Sequence, residues 1–112
     1  MEIASHDEGQ FTLVRMSGDL DVASSPGVVE ELDRLLAGGR HQLVLDLEAV
    51  PFIDSSGLSA LIRLLKRVRA CGGSLRLATL QPPVRRVFDL TRLARSFDLY
   101  PDVAGALRSK GH

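Results

Sequence analysis

The stretch VPFIDSSGLS, residues 50–59, joins an apolar strand to an amphipathic helix. The preceding residues 43–47, LVLDL, form an apolar run whose length is typical of a buried strand. The apolar residues that follow recur at helical spacing and predict one buried stripe: Leu58, Leu61, Ile62, Leu65 and Val68. In open α/β sheets, ligand-binding and catalytic residues usually lie at the carboxyl ends of the strands, so this junction is the first candidate site.

Three polar side chains at the junction compete for one structural role. The first N–H groups of a helix have no partners within the helix, and Asp54, Ser55 or Ser56 can each cap them. The pattern alone does not decide which residue does so. The same N–H groups and the helix dipole favour negative charge, so a phosphate added to a hydroxyl would be tolerated here. The junction is therefore either a plain helix cap or a modification site.

The alternation of apolar runs with helical patterns predicts a single α/β domain over residues 1–112, with a frayed end at 109–112. Its sheet is mixed and mostly parallel, with four to five strands, an N-terminal antiparallel hairpin and about four helices packed on it. A helix lies between the second and third strands, which makes a parallel, right-handed crossover available. The second strand does not sort into one apolar and one polar face. The strands are expected at residues 3–6, 11–16, 42–47, 74–78 and 96–99.

Turn and cap signals place the hairpin loop and the helices. Residues 7–10 form the hairpin turn, in which Gly9 takes a positive φ. The first helix starts with Ser25 as its cap and Pro26 at its first position. Its inward stripe is expected to comprise Val28, Val29, Leu32, Leu35 and Leu36, and Gly38-Gly39 end it. Pro82-Pro83 open a short helix with Val84, Val87 and Phe88 inward, and a last helix runs from Pro101 through Leu107.

Charge is balanced in sum but uneven along the chain. Residues 1–55 carry eleven acids and three Lys or Arg, whereas residues 56–112 carry three acids and eleven Lys or Arg. Such asymmetry can signal an acidic or nucleic-acid partner, although opposite charges can also interleave on one core. Aromatic residues for base stacking are few, four Phe and one Tyr, so direct nucleic-acid binding is not expected. The cations of the central helix are expected to form a solvated face: Arg63, Lys66, Arg67 and Arg69.

The sequence favours a cytoplasmic location. No apolar run approaches the length that spans a bilayer, and the N-terminus lacks a signal-peptide pattern. The single cysteine, Cys71, cannot form an internal disulfide and fits a reducing compartment.

The candidate site lacks the partners that a catalytic serine needs. A serine nucleophile requires a base, and none of the three histidines, His6, His41 and His112, has an evident reason to reach Ser56. No Gly-x-Ser-x-Gly elbow, metal-ligand spacing or phosphate-binding glycine loop occurs. We therefore expect no enzyme and no cofactor. A small hydrolase that uses Ser56 with Asp54 remains as an alternative.

Five short motifs, in order and spacing, point beyond a plain helix cap. They are GDLD at 18–21, LVLDL at 43–47, DSSGL at 54–58, the glycine pair at 72–73 and VRRVFD at 84–89. Together they resemble the STAS domain family and, within it, the bacterial anti-sigma factor antagonists, over nearly the whole chain.

The resemblance implies that this chain is the substrate of another protein's chemistry. Ser56, the second hydroxyl of the motif, would be phosphorylated by an anti-sigma factor that is also an ATP-dependent serine kinase, and a serine phosphatase would reverse the step. The unphosphorylated protein would bind the anti-sigma factor and release its sigma factor. Ser55 would then be the helix cap.

The resemblance also implies a partner-binding surface, made of Asp21, Asp54, Ser55, Ser56 and Gly57. Asp21 matches an acidic position of the family's Gly-(Asp/Glu)-Leu-Asp motif, whose loop lies beside the phosphoserine turn; alternatively it accepts hydrogen bonds from nearby N–H groups. Gly57 would let a partner approach Ser56 closely, because it has no side chain. A second interpretation within the family is a STAS module of another assembly, such as a stress-signalling complex or a lipid-transport accessory subunit.

Overall fold

A five-stranded sheet organises the computed structural model, which describes residues 1–108. The strands follow one another in the order β1-β2-β3-β4-β5; the first pair is antiparallel and the others are parallel. This confirms the expected mixed α/β sheet, while the expected frayed end at 109–112 lies outside the described residues. The elements in chain order are β1 (Glu2–Glu8), β2 (Phe11–Ser17), α1 (Ser25–Ala37), β3 (Gln42–Ala49), α2 (Ser55–Ala70), β4 (Ser74–Ala78), α3 (Pro82–Leu90), a 3-10 turn (Leu93–Arg95), β5 (Asp98–Tyr100) and α4 (Val103–Arg108).

The N-terminal hairpin is tighter than the sequence predicts. Glu8 pairs with Phe11, so the loop has only two residues, Gly9 and Gln10, and β1 includes the first two residues of the expected turn. Gly9 has a φ of +61°, which confirms the expected positive φ. At the opposite edge of the sheet, β5 comprises residues 98–100 rather than 96–99.

Helices cover both faces of the sheet, and this explains why β2 has no polar face. On one face, Val14 of β2 belongs to a core that includes residues of α1, α2 and α3. On the other face, Leu13 and Val44 pack with Ala106 of α4. A strand that is covered on both sides needs apolar residues at successive positions rather than at alternate ones.

One charged side chain, that of Arg76 on β4, is buried under α4. Its Nη1 donates to the carbonyl oxygen of Ala106 at 2.5 Å, and its guanidinium lies 4.6 Å from the ring centre of Phe11 and 5.5 Å from that of Tyr100. The carbonyl and the aromatic faces together replace part of the water that a buried cation loses. Arg76 thereby fixes α4 on the sheet.

The first helix begins one residue earlier than expected, so the assignment of Ser25 as its cap is wrong. Ser24 occupies the N-cap position, Ser25 is already helical, and Pro26 is the second helical residue. The Ser25 hydroxyl donates to the carbonyl oxygen of Asp21 at 2.5 Å and is thus engaged by the preceding loop. Of the expected inward stripe, Val28, Leu32 and Leu36 are buried, whereas Val29 and Leu35 are partly exposed.

The central helix α2 buries the stripe that its spacing predicts, with one exchange. Leu58, Leu61, Leu65 and Val68 are buried, Ile62 is partly exposed, and Leu64 is buried in addition. Within residues 1–108, no helix is both long and apolar enough to cross a bilayer.

Candidate functional site

Two loops lie side by side at the carboxyl ends of β2 and β3. Leu20, in the loop after β2, forms a parallel bridge with Ile53, in the loop after β3. The N–H of Leu20 donates to Phe52 O at 2.9 Å, and the N–H of Asp54 donates to Leu20 O at 3.2 Å. Leu20 and Ile53 are both buried, so the two loops are held together by packing in a shared core as well as by hydrogen bonds.

Asp54 caps α2 and also links the two loops. Its Oδ1 accepts a hydrogen bond from the N–H of Gly57 at 3.0 Å, and its Oδ2 accepts one from the N–H of Val22 at 3.2 Å. Ser55 is the first helical residue, so the expectation that Ser55 caps this helix is wrong. The carboxylate has two separate oxygens, so one accepts from the helix N-terminus while the other accepts from the loop after β2.

The hydroxyls of Ser55 and Ser56 lie at the start of α2 and have no partners among the described residues. Ser55 is exposed and Ser56 is partly exposed. Neither hydroxyl takes part in a hydrogen bond with any residue from 1 to 108. Chemical modification of either oxygen would therefore break no contact within the described chain.

Both serines line a groove between α1 and α2 that has a volume of about 600 Å³. Arg63 lies seven residues after Ser56, about two helical turns along the same face. Within residues 1–108 it is the only charged residue that lines the groove. Its side chain makes no ion pair or hydrogen bond to the described residues. The sequence interpretation placed Arg63 on a solvated face; the i, i+7 spacing from Ser56 was the signal that it also borders the groove. The remaining lining residues are Ser25, Pro26, Val29, Ser59 and Ala60.

Asp21 lies in the loop after β2 and organises that loop locally. Its Oδ1 accepts hydrogen bonds from the N–H groups of Ala23 and Ser24, each at 3.1 Å. Its Oδ2 has no hydrogen bond to any residue in the described part of the chain. The structure thus brings Asp21 into the same pair of loops as Asp54, and one carboxylate oxygen of Asp21 has no partner within residues 1–108.

Gly57 faces the core rather than the solvent. It is buried, and a Cβ at this position would lie 2.2 Å from Leu20 O. The structure therefore gives a packing reason for this glycine, which differs from the expected close approach of a partner.

The described histidines lie away from the two serines. His6 pairs with Glu8 on β1. His41 contacts the carbonyl oxygen of Leu36 just before β3, whereas Ser56 follows the opposite end of that strand. His112 lies outside the described residues. No histidine borders the groove, and no group of three metal-ligating side chains occurs between residues 1 and 108.

Charges from the two halves of the sequence interleave only in part. Arg67 of α2 pairs with Asp33 of α1 at 2.9 Å, and Arg69 donates to Ser96 O at 2.9 Å, so these two cations are not simply solvated.

On the hairpin, hydrogen bonds from Arg40 and then from Thr12 lower the pKa of Asp7 below its ordinary value.

Comparisons with known proteins agree with this arrangement of strands, loops and helices. The family model for the STAS domain matches residues 2–106. An anti-sigma F factor antagonist of Paenibacillus polymyxa is 31% identical over 96 residues, which cover 85% of this chain and 82% of that protein. The anti-sigma-B factor antagonist of Bacillus subtilis is 34% identical over 95 residues, or 85% of this chain and 86% of that protein. The crystal structure of an anti-sigma factor antagonist from Mycobacterium paratuberculosis superposes with a TM-score of 0.86 at 29% identity, over 95% of this chain and 90% of that one.

Proposed function

The chain belongs to the STAS domain family, and from this membership we propose that it acts as an anti-sigma factor antagonist. The antagonists of this family are regulators and not enzymes. In the proposed cycle, the unphosphorylated chain binds an anti-sigma factor that has serine kinase activity, and the sigma factor is released. Phosphorylation of Ser56 switches this binding off, and a serine phosphatase restores it.

The observation that carries the proposal is the state of the Ser56 hydroxyl. Ser56 is partly exposed, its hydroxyl has no hydrogen-bond partner among the described residues, and it lies at the N-terminal end of a long helix, where it lines the groove between α1 and α2. A kinase can reach such an oxygen without unfolding the chain. The helix dipole and the free N–H groups of the first turn offset part of the added negative charge.

The same phosphate would change what the surface can bind. It adds about −1.5 to −2 charges at neutral pH and three acceptor oxygens. It would occupy the mouth of the groove, two residues from the carboxylate of Asp54, and a close-fitting partner would have to desolvate both anions. Because about 1.4 kcal/mol changes an affinity tenfold, this local change is large enough to switch binding without any rearrangement of the fold.

The proposed contact surface comprises Asp21, Asp54, Ser55, Ser56 and Gly57, which contribute in different ways. Asp21 offers a free carboxylate oxygen to a partner's cation or N–H group. Asp54 has hydrogen bonds to both of its oxygens, so it holds the two loops in place beneath the contact. Gly57 is buried, so its contribution is indirect: its close packing against Leu20 positions Ser56 beside the loop after β2.

A phosphorylation assay with matched serine variants tests the proposal. The purified chain is incubated with Mg-ATP and each candidate serine-kinase anti-sigma factor of the same organism, and its intact mass is measured. We expect a mass gain of one phosphate, lost in Ser56→Ala and retained in the control Ser55→Ala. The reverse pattern would make Ser55 the acceptor, and no mass gain with any such kinase would contradict the proposed switch.

A binding assay with the same proteins tests the second half of the cycle. Ser56→Ala removes the acceptor without adding charge or bulk, so it should bind the anti-sigma factor as the unmodified chain does. The phosphorylated chain should bind at least tenfold more weakly. Stable association that ignores the phosphate would instead favour a STAS module of a different assembly.

A further inference from the structure

Two of the large apolar side chains that the described chain exposes lie beside the candidate site. Val22 is 70% exposed and Phe52 is 49% exposed. Val22 belongs to the loop after β2, and Phe52 belongs to the loop after β3, so each of the two linked loops presents one of them. The other exposed large apolar residues are Met1 at the N-terminus and Leu90 at the end of α3.

Hydrogen bonds hold the backbone at both positions. The carbonyl oxygen of Phe52 accepts the N–H of Leu20 at 2.9 Å, and the N–H of Val22 donates to Asp54 Oδ2 at 3.2 Å. The bridge between Leu20 and Ile53, both buried, joins the same two loops. A binding surface whose loop backbone is already ordered loses less conformational entropy when a partner covers it.

Both residues remain largely in water after folding. About half of Phe52 and most of Val22 stay exposed, whereas their neighbours Leu20 and Ile53 are almost fully buried. Exposed aromatic side chains that a partner can bury, together with a second apolar side chain, often carry a large share of the binding energy at protein interfaces.

We propose that Val22 and Phe52, the Val22–Phe52 patch, form the apolar anchor of the surface that binds the anti-sigma factor. The inference rests on the proposed function, because the occupant is the same protein that approaches Ser56. Continuity determines this occupant: Asp54, which hydrogen-bonds to Val22, also caps the helix on which Ser56 lies. The patch binds an apolar surface of the partner and supplies affinity, while the charge state of Ser56 decides whether that affinity can be used.

Affinity measurements on variants in which an exposed apolar residue is replaced by serine test the patch. The unphosphorylated chain, Phe52→Ser, Val22→Ser and the control Leu90→Ser are titrated with the anti-sigma factor that phosphorylates Ser56. We expect at least tenfold weaker binding for Phe52→Ser, several-fold weaker binding for Val22→Ser, and a change within twofold for Leu90→Ser, whose side chain is 75% exposed on α3. Phe52→Leu keeps an apolar side chain and should retain most of the affinity, and urea unfolding of each variant verifies that it is folded.

The possible failures are distinguishable. If the wild-type chain binds its kinase and both patch variants bind equally tightly, the patch is wrong and the proposed function stands. If Phe52→Ser, Val22→Ser and Leu90→Ser all weaken binding alike, the effect is not specific to these loops and the patch is also wrong. If the wild-type chain binds no anti-sigma factor at all, the proposed function fails, and the patch fails with it.

Discussion

Gly57 packs directly against the backbone of Leu20. A Cβ on Gly57 would lie 2.2 Å from Leu20 O and 2.8 Å from Leu20 Cγ, distances at which atoms overlap. The start of α2 and the loop after β2 therefore approach each other as closely as they do because residue 57 has no side chain. This contact sets the spacing between Ser56 and the loop that carries Asp21.

Gly57→Ala should destabilise the protein. The added methyl group must displace backbone as well as side-chain atoms, and overpacking of this kind costs about 1–3 kcal/mol, more than the gain in helix propensity of roughly 1 kcal/mol. The matched control is Gly27→Ala in α1, where a Cβ meets nothing within 4 Å and the chain should become slightly more stable. Urea unfolding measures both, and a Gly57→Ala variant as stable as wild type would show that the two loops can separate freely.

Asp54→Ala should cost more stability than Ser55→Ala. Removal of the carboxylate leaves the N–H groups of Gly57 and Val22 without their acceptor, and loss of an N-cap costs about 0.5–2 kcal/mol. Ser55→Ala removes a hydroxyl that has no partner within residues 1–108, so its free energy of unfolding should change by less than about 0.5 kcal/mol. Equal losses in urea unfolding would contradict the assignment of Asp54 as the cap.

The sequence predicted the sheet well because its signals are local. Period-2 and period-3.6 patterns, glycine stops and proline starts placed the strands and helices to within a few residues, and the residues 74–78 of β4 agree at both ends. Different helices cover the two faces of β2. In the sequence, this is visible only as the lack of alternation between apolar and polar residues along that strand. Burial of Arg76 had no local signal, because it depends on Phe11, Tyr100 and α4, which are distant in sequence.

The candidate site was predicted in composition but not in detail. The motif located Asp54, Ser55 and Ser56 at the start of a helix, yet the choice of cap required knowing that Val22 would present its N–H to the same carboxylate. The role of Gly57 depends on Leu20, a contact between residues 37 positions apart that no local pattern encodes. Long-range backbone contacts are the part of a site that single-sequence reasoning misses.

Asp21→Ala should weaken partner binding while it largely preserves the fold. The carboxylate accepts two hydrogen bonds within its own partly exposed loop, whose loss should cost about 1 kcal/mol. Asp19→Ala is the control, since it removes the same charge from an exposed position in the same loop. If the two variants lose affinity for the anti-sigma factor equally, net charge and not the position of Asp21 governs the contact.

Replacement of Arg40 should raise the pKa of Asp7. Hydrogen bonds from Arg40 and Thr12 stabilise the Asp7 carboxylate and lower its pKa from an ordinary value of 3.8. Because the pKa is lower in the folded state, this contribution to stability is present above the ordinary pKa and is lost as the pH falls through the folded pKa. NMR titration should show a higher pKa for Asp7 in Arg40→Met and a smaller rise in Thr12→Val, and an unchanged value in Arg40→Met would rule out the ion pair as its cause.

Phosphorylation of Ser56 should leave the fold intact. The Ser56 hydroxyl has no hydrogen bond to lose among the described residues, and the helix N-terminus favours the added anion by about 0.3–1 kcal/mol. The Asp54 carboxylate opposes this gain, so the free energy of unfolding should change by no more than about 1 kcal/mol. Urea unfolding of the phosphorylated and unphosphorylated chains measures the difference, with NMR shift changes expected around the α1–α2 groove alone. A loss of several kcal/mol, or shift changes that reach α4 on the far face of the sheet, would mean that the phosphate acts by disrupting the fold rather than by altering one surface.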